Sequence, residues 1–221
     1  MPNICENTIE IRGSVDAIDK LIEKCTTQGY EGRFNVEDEL VKVLDLGLAY
    51  PQPEEFDFIS TGGGTINGEK VNVWRTKDTQ TGEYVKLSME TMIDSSGRYE
   101  KVALTDTEVK VLTELYGATN WYDWRYENWG TKWVTQVDID NIEQDTYGDN
   151  TKAIFFTVDS AWGPPMELLE TICINFKVDI HNRWWEEGGE ANRGSFTEID
   201  GRDHSITYYS RTLNARLKDG K

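Results

Sequence analysis

Two β-α patterns, one at each end of the chain, constrain the fold more than any other feature of the sequence. Asn7-Thr8-Ile9-Glu10-Ile11-Arg12 alternates apolar and polar side chains, the period of a half-buried strand, and Gly13 ends it. Ser14 follows as a helix N-cap, with Asp16 near the positive end of the helix and Ile18, Leu21, Ile22 and Cys25 on one helical face. Gly29 is the expected stop. Towards the other end, Ala153-Ile154-Phe155-Phe156-Thr157-Val158 is an almost continuous apolar run, as in a strand covered on both faces. Pro164-Pro165 then opens a helix that carries Met166, Leu168, Leu169 and Ile172, and Val178 and Ile180 begin a strand that reaches Trp184-Trp185. Phe196, Ile199, Ile206 and Tyr208 belong to the last strands. A β-α start and a β-α-β finish predict an α+β protein, an antiparallel sheet with helices on one face.

The middle of the chain reads differently. Asn35 with Asp38 predicts a second helix through Leu40, Val41 and Leu44 to Gly47, and Pro51-Gln52-Pro53 forces an extended passage after it. Gly62-Gly63-Gly64 suits a flexible connector, and Asn67-Gly68 is a tight-turn signal. Val71, Val73 and Arg75 alternate with Asn72 and Trp74 in one strand; Thr81-Gly82 turns into a second strand through Tyr84, Val85, Lys86 and Leu87. A β-hairpin insertion is therefore expected at 61–105, between a first part of the core at 1–60 and its remainder at 106–210. A basic tail follows at 211–221. Thr105-x-x-Glu108 is a capping box, followed by Val109, Leu112 and Leu115 and closed by Gly117. A further helix starts at Asn120.

Composition narrows the function. The 221 residues hold 40 acids against 23 bases, a net charge of −17, which excludes a sequence-independent nucleic-acid binder held by phosphate contacts. Residues 1–200 carry 38 acids and 18 bases and residues 201–221 carry 2 and 5, so the acidic body ends in a basic tail. Eight Trp and ten Tyr within 38% hydrophobic residues describe a polar surface around an aromatic core. No apolar run of membrane-spanning length occurs, and Met1-Pro2-Asn3-Ile4-Cys5-Glu6 has neither the basic nor the apolar part of a signal peptide, so a cytoplasmic protein is expected. Cys5, Cys25 and Cys173 lack metal or redox spacing and are expected to be free thiols in the core.

Four strings resemble the YubB-like ferredoxin-like domain family, found mainly in bacteriophage, prophage and plasmid proteins. They are Met1-Pro2-Asn3-Ile4-Cys5-Glu6-Asn7, where Ile4 stands in place of the family's usual Trp; Trp121-Tyr-Asp-Trp-Arg-Tyr-Glu-Asn-Trp-Gly-Thr-Lys-Trp133; Ser160-Ala-Trp-Gly-Pro-Pro165; and Glu186-Glu187-Gly188. The resemblance covers residues 1–60 and 120–200. It implies a ferredoxin-like sheet with the hairpin inserted and a mobile-element origin. It implies no activity, so it supplies no catalytic residues.

Chemistry-bearing patterns are few. Two histidines, His181 and His204, do not make a metal site, and no nucleophile elbow or triad is present. Thr61-Gly-Gly-Gly-Thr65 lacks the Gly-Lys-Ser/Thr ending of a phosphate loop. Asp138-Ile-Asp140-Asn141-Ile-Glu143 puts Glu143 where a calcium loop needs glycine, so a solvated acidic loop is expected. Glu186 and Glu187 would share a site only on a turn, since neighbours on a strand point to opposite faces. No metal and no cofactor are expected.

The tryptophans are the better lead. Trp121, Trp124, Trp129, Trp133, Trp162, Trp184 and Trp185 are core fillers on the simplest view, yet Trp184 and Trp185 cannot both face one core. Arg125 and Lys132 lie among them and suit an anionic or aromatic ligand. The candidate binding set is Trp121, Trp124, Arg125, Trp129, Lys132, Trp133, Trp184, Trp185, Glu186 and Glu187. The leading expectation is a non-enzymatic phage-type accessory protein that binds and inhibits a host protein, one of anti-phage defence or nucleic-acid handling, through an acidic, Trp-rich surface. That partner would have a basic nucleic-acid-binding surface; neither nucleic acid nor membrane is bound directly, and the basic tail could pair with the acidic body of a second copy. Two alternatives remain open: a small-ligand (nucleotide signal) pocket of Trp124, Arg125, Trp129 and Trp185, and a hydrolase or transferase using Glu186, Glu187 and His181.

Overall fold

A computed structural model of the chain describes residues 3–31, 40–66, 68–86 and 97–187, and the backbone of 191–196, 198–199, 203–204 and 207–210. The chain forms two compact units, one of residues 1–51 with 128–221 and one of residues 52–127. The first unit opens with β1 (Ile4–Ser14), α1 (Val15–Cys25), β2 (Thr26–Gly29) and β3 (Val41–Leu44). The second carries β4 (Ile59–Ile66), β5 (Glu69–Asp78), β6 (Tyr84–Val85), β7 (Tyr99–Ala103) and α2 (Asp106–Tyr116), and then α3 (Trp121–Trp129), in whose last turn the chain re-enters the first unit. There follow β8 (Val137–Asp138), β9 (Glu143–Tyr147), β10 (Thr151–Ala161), α4 (Met166–Phe176), β11 (Asp179–Glu186), β12 (Ala191–Phe196), β13 (Glu198–Ile199), β14 (Asp203–His204) and β15 (Thr207–Ser210).

Six strands of the first unit form one antiparallel sheet in the order β15-β12-β11-β1-β10-β9. Taken in chain order, β1-α1-β9-β10-α4-β11 is a βαββαβ unit whose strands lie 4-1-3-2 in space, the ferredoxin-like arrangement. β12 and β15 extend it on one edge. The inserted material enters between α1 and β9. The expected ferredoxin-like sheet with helices on one face is therefore what forms, and α1 and α4 supply the helical layer.

Burial alternates along the strands as the sequence pattern requires. Cys5, Asn7, Ile9 and Ile11 of β1 are buried while Glu6, Thr8 and Arg12 are exposed. Ile9, Ile11, Ile154 and Ile180 meet Ile18 and Leu21 of α1 and Leu168, Leu169 and Ile172 of α4 in the fully buried core. Each such side chain contributes about 1.5–3 kcal/mol of transfer free energy. β10 departs from expectation: Phe155 is half-buried and Thr157 exposed, so only one face is covered by helices. The Ser14 hydroxyl accepts from the Ala17 amide, the cap the sequence announced.

Other local readings change. α1 stops at Cys25, and Thr26–Gly29 is a strand paired with β3, so Gly29 ends β2 instead of the helix. The helix expected to run into Leu44 does not form over its described part. The β-branched alternation of Val41 and Val43 makes a strand, and Asp45 then accepts from the Gly47 amide to start a 3-10 turn. The proposed start at Asn35 and Asp38 lies outside the described residues, as do Leu87, Gly188, Ile206 and the 211–221 tail.

The second unit is wider than the hairpin expected at 61–105, because its helices and Phe56 belong to it. β5 is its central strand, paired antiparallel with β4, β6 and β7. The Gly62-Gly63-Gly64 string is part of β4, with a register shift against β5 between Thr61 and Gly64, so it is a bulged strand and not a free connector. Thr105 and Glu108 make the reciprocal capping box, and Gly117 closes α2 at φ 73°, a left-handed conformation that glycine adopts without a Cβ penalty. Glu108 also pairs with Arg75, tying α2 to β5.

Buried Asp78 holds the corner after β5. Its carboxylate accepts from Arg98 Nε and Nη2 (2.9 and 2.6 Å) and from the amides of Gln80 and Thr81. The Arg98 bonds, more than the turn amides, pull its pKa below the ordinary aspartate value. A carboxyl whose folded pKa is depressed stabilises above its unfolded pKa and loses that stabilisation as pH falls through the folded one. Asp78→Asn is thus expected to lower stability at neutral pH and to flatten its decline below about pH 4, read as Tm against pH by circular dichroism.

Candidate functional site

The segments that carry the family resemblance, far apart in sequence, meet at one end of the six-stranded sheet. The Thr131 hydroxyl donates to Ala161 O (2.9 Å) and accepts from the Ala161 amide (3.1 Å), and Val134 bridges to Ser160. The Asn128–Trp133 string is thereby stitched to Ser160–Pro165. The Trp162 amide donates to Asn3 O (2.9 Å) and the Glu187 amide to Ile4 O (3.0 Å), which brings in the start of the chain and the acidic turn. Gly130, at φ 75°, lies so close to α4 that a Cβ there would run into the Glu167 carboxylate.

Beneath this end a polar cluster is sealed in the core. Asn7 Nδ2 donates to Ser160 Oγ (2.8 Å) and Cys5 O (2.9 Å), and Asn7 Oδ1 accepts from Asn182 Nδ2 (3.0 Å). Ser160 Oγ donates in turn to Gly163 O (2.7 Å), in the turn that follows Trp162. Asn7, Ser160 and Asn182 are all fully buried, and Asn182 Oδ1 has no partner among the described residues. Burial pushes the neighbouring Cys5 thiol up to about 12, with Glu186 and Asp159 adding to the shift; burial likewise lifts Cys25 to about 12. The three cysteines are buried and in no disulfide, packing residues as expected, and the two raised thiols stay protonated at neutral pH.

The expected site residues divide sharply. Trp129 is buried: its indole Nε1 donates to Tyr50 O (2.8 Å) and its ring lies against Gly47. Trp184 is also core, only 8% exposed, whereas Trp185 on the opposite face is 52% exposed. Strand alternation had required that one of the two be outside. Trp133 and Lys132 are half-buried, and the Lys132 ammonium stands 4.8 Å from the centre of the Trp162 ring. Trp162, 41% exposed and held at φ 64°, is the surface aromatic that the candidate set omitted. The Gly-Pro-Pro that follows it was the available signal, since a sharp turn there leaves a large ring on the surface.

Glu186 and Glu187 are placed by different contacts at the start of β1. Glu186 is in register with Cys5 at the end of β11, while Glu187 ties to Ile4 through backbone and a long 3.4 Å contact from the Ile4 amide to Oε2. His181 is exposed beside Glu10, on the face of the sheet opposite α1 and α4. Among the described residues no group of three His, Cys, Asp or Glu is placed to hold a metal ion. The acidic stretch is not the loop expected: Asp138 caps a 3-10 turn and Glu143 and Asp145 belong to strand β9, though every β9 side chain is exposed to solvent.

Trp121, Trp124 and Arg125 lie in the second unit. Trp124 is core, and Arg125 Nε donates to Gln52 Oε1 (2.7 Å) with its guanidinium 5.5 Å from the Trp121 ring. Asn120 Oδ1 caps α3 by accepting from the Tyr122 and Asp123 amides. The groove on this helix, about 180 Å³, is lined by Tyr122, Asp123, Tyr126 and Glu127, not by the expected tryptophans. A shallow groove of about 550 Å³ in the first unit runs between α1 and the β9 edge, with Asp19, Glu23, Lys42 and Lys152 in its lining. Lys152 is already paired with Asp19 at 2.7 Å.

Residues 128–216 match the family model of the ferredoxin-like domain in Api92-like protein. Among solved structures, a protein api92 from Yersinia pseudotuberculosis is similar at 15% identity, over 94% of this chain and 98% of that one, with a TM-score of 0.37. No curated protein matches the chain. Among the described residues, no helix is long and apolar enough to cross a membrane.

Proposed function

We propose that the chain is a non-enzymatic binding protein that engages a protein partner through the sheet end built from Lys132, Trp162, Trp185 and Glu187. The observation that carries this reading is selective exposure: Trp124, Trp129 and Trp184 are spent on the core, while Trp162 and Trp185 stand on the surface beside cationic and anionic groups. Exposed tryptophans with a charged rim are the side chains that dominate protein interfaces. The net charge of −17 favours a basic partner. In the mobile-element setting that the sequence resemblance implies, that partner is a host protein whose basic face normally holds nucleic acid, and occupancy by this chain inhibits it. Burial of Trp124 and Trp129 counts against the nucleotide pocket.

The test is capture from nuclease-treated bacterial lysate with the full chain as bait, identification by mass spectrometry and titration of the purified partner. Trp162→Ala with Trp185→Ala is expected to weaken binding by roughly 30-fold or more, as at interface hot spots, and salt to weaken it further. A partner held equally well by the double variant would remove this surface from consideration.

A further inference from the structure

α3 repeats one pattern four residues apart: Tyr122-Asp123, then Tyr126-Glu127. Positions four apart are neighbours on a helix, so tyrosine lies beside tyrosine and acid beside acid. All four line one groove of about 180 Å³ within the second unit. The two phenol rings are nearly parallel, 9° apart in plane, with centroids 6.5 Å apart. Trp121 packs edge-on against the Tyr122 ring, and Tyr126 is 56% exposed.

This groove lacks a balancing positive charge. Its lining includes no base. Arg125, between the two pairs, is engaged by Gln52 Oε1 (2.7 Å) and stands 5.5 Å from the Trp121 ring. Asp123 Oδ2 accepts from Asn120 Nδ2 (2.7 Å), a neutral donor. Glu127 has no ion pair among the described residues. Its Oε2 would stand 4.0 Å from a Cβ on Gly117, the residue that closes α2. A helix C-terminus is the negative end of the dipole and favours a cation, yet the last turn of α2 holds no base. Two carboxylates, one of them beside a negative helix end, thus border two aromatic rings with nothing in the groove to neutralise them.

We propose that this groove binds an organic cation, the guanidinium of arginine or an alkylated ammonium. A cation is drawn to an aromatic ring within about 6 Å of its centroid. With centroids 6.5 Å apart, a single cation above their midpoint lies within that range of both. The volume is below the roughly 300–1,000 Å³ of a drug-sized ligand pocket and suits one head group. The carboxylates repel phosphate and other anions, and a neutral apolar ligand would desolvate them unpaired. A calcium or magnesium ion calls for about six or more oxygen ligands, and no group of three His, Cys, Asp or Glu is placed to hold a metal among the described residues. A cation whose charge is spread over carbon-bound groups uses the rings and the carboxylates together. The site belongs to the second unit and does not rest on the proposed function, whose surface belongs to the first.

Amide NMR spectra of the isotope-labelled full chain, titrated with N-acetyl-argininamide and with choline, read it directly. At least one cation is expected to give saturable shifts centred on Tyr122 to Glu127, with a Kd on the order of 1 mM. The neutral isosteres N-acetyl-citrullinamide and dimethylbutanol should leave those signals in place. Tyr126→Leu removes the ring and Glu127→Gln the charge, each at an exposed position; with circular dichroism unchanged, each should weaken binding about threefold. Tyr126→Phe keeps the ring and should bind as the wild type does. Tighter binding of argininamide than of choline assigns the groove to a basic side chain, and the reverse order to a free quaternary ammonium. Absence of saturation by either cation at about 10 mM, equal shifts from the neutral isosteres, or wild-type binding by Tyr126→Leu would overturn the inference. Trp162→Ala with Trp185→Ala should leave cation binding untouched, so loss of partner capture in that variant is read separately.

Discussion

Trp129→Ala is expected to destabilise the first unit by about 3–5 kcal/mol, the range for a buried aromatic cut to alanine. For a chain of this size that lowers Tm by on the order of 10 °C. The indole is 6% exposed, packs against Gly47 and satisfies Tyr50 O, so truncation opens a cavity and strips a carbonyl at once. Trp129→Phe separates the two losses. It keeps most of the packing and gives up the hydrogen bond, so it should cost only about 1–2 kcal/mol. Urea denaturation followed by circular dichroism measures both. Equal effects of Ala and Phe would mean that the Tyr50 bond, not the packing, anchors this end of α3.

Asn7→Ala is expected to cost about 2–4 kcal/mol, from stranding a buried donor as well as removing an amide. Asn182 Nδ2 gives its hydrogen to Asn7 Oδ1, and both side chains are fully buried. The Asn7→Ala/Asn182→Ala double variant should cost less than the sum of the singles, because once Asn7 is gone the second change removes an already stranded group. Asn182 Oδ1, unpartnered among the described residues, reduces the cost of losing Asn182 further. Strict additivity in this cycle would show that the two amides do not act as one network. Because Ser160 passes the network on to Gly163, Asn7→Ala should also loosen Trp162, visible as a change in tryptophan fluorescence.

Local pattern reached far in this chain. The alternation around Ile9 and Ile11 announces β1, Ser14 and the Thr105/Glu108 box announce two helix starts, and Asn120 announces a third, because caps and strand faces depend on residues one to four apart. The same short range explains the failures. Val41–Leu44 is short enough to fit a helix or a strand, and its pairing with β2 decided the matter. The glycine triplet looked like a connector because its partner, β5, is visible only as a separate pattern. The Trp184/Trp185 division was legible from period two, but the burial of Trp124 and Trp129 was not. Their helix has apolar rings on every side, so sequence offered no face to choose.

By itself the sequence determined which residues of β1 share a face, where α1, α2 and α3 begin, and that the body is acidic. Only the tertiary structure decided that β1 lies between β10 and β11, with Ile4 opposite Ala161 and Cys5 opposite Glu186. It also decided that Asn7 finds Ser160, and that Thr131 draws Trp162 to the surface beside Lys132. The physical reason is the distance along the chain: a cap or an alternation is set within one turn or one pleat, whereas the contacts that place this surface join residues 30 to more than 150 positions apart.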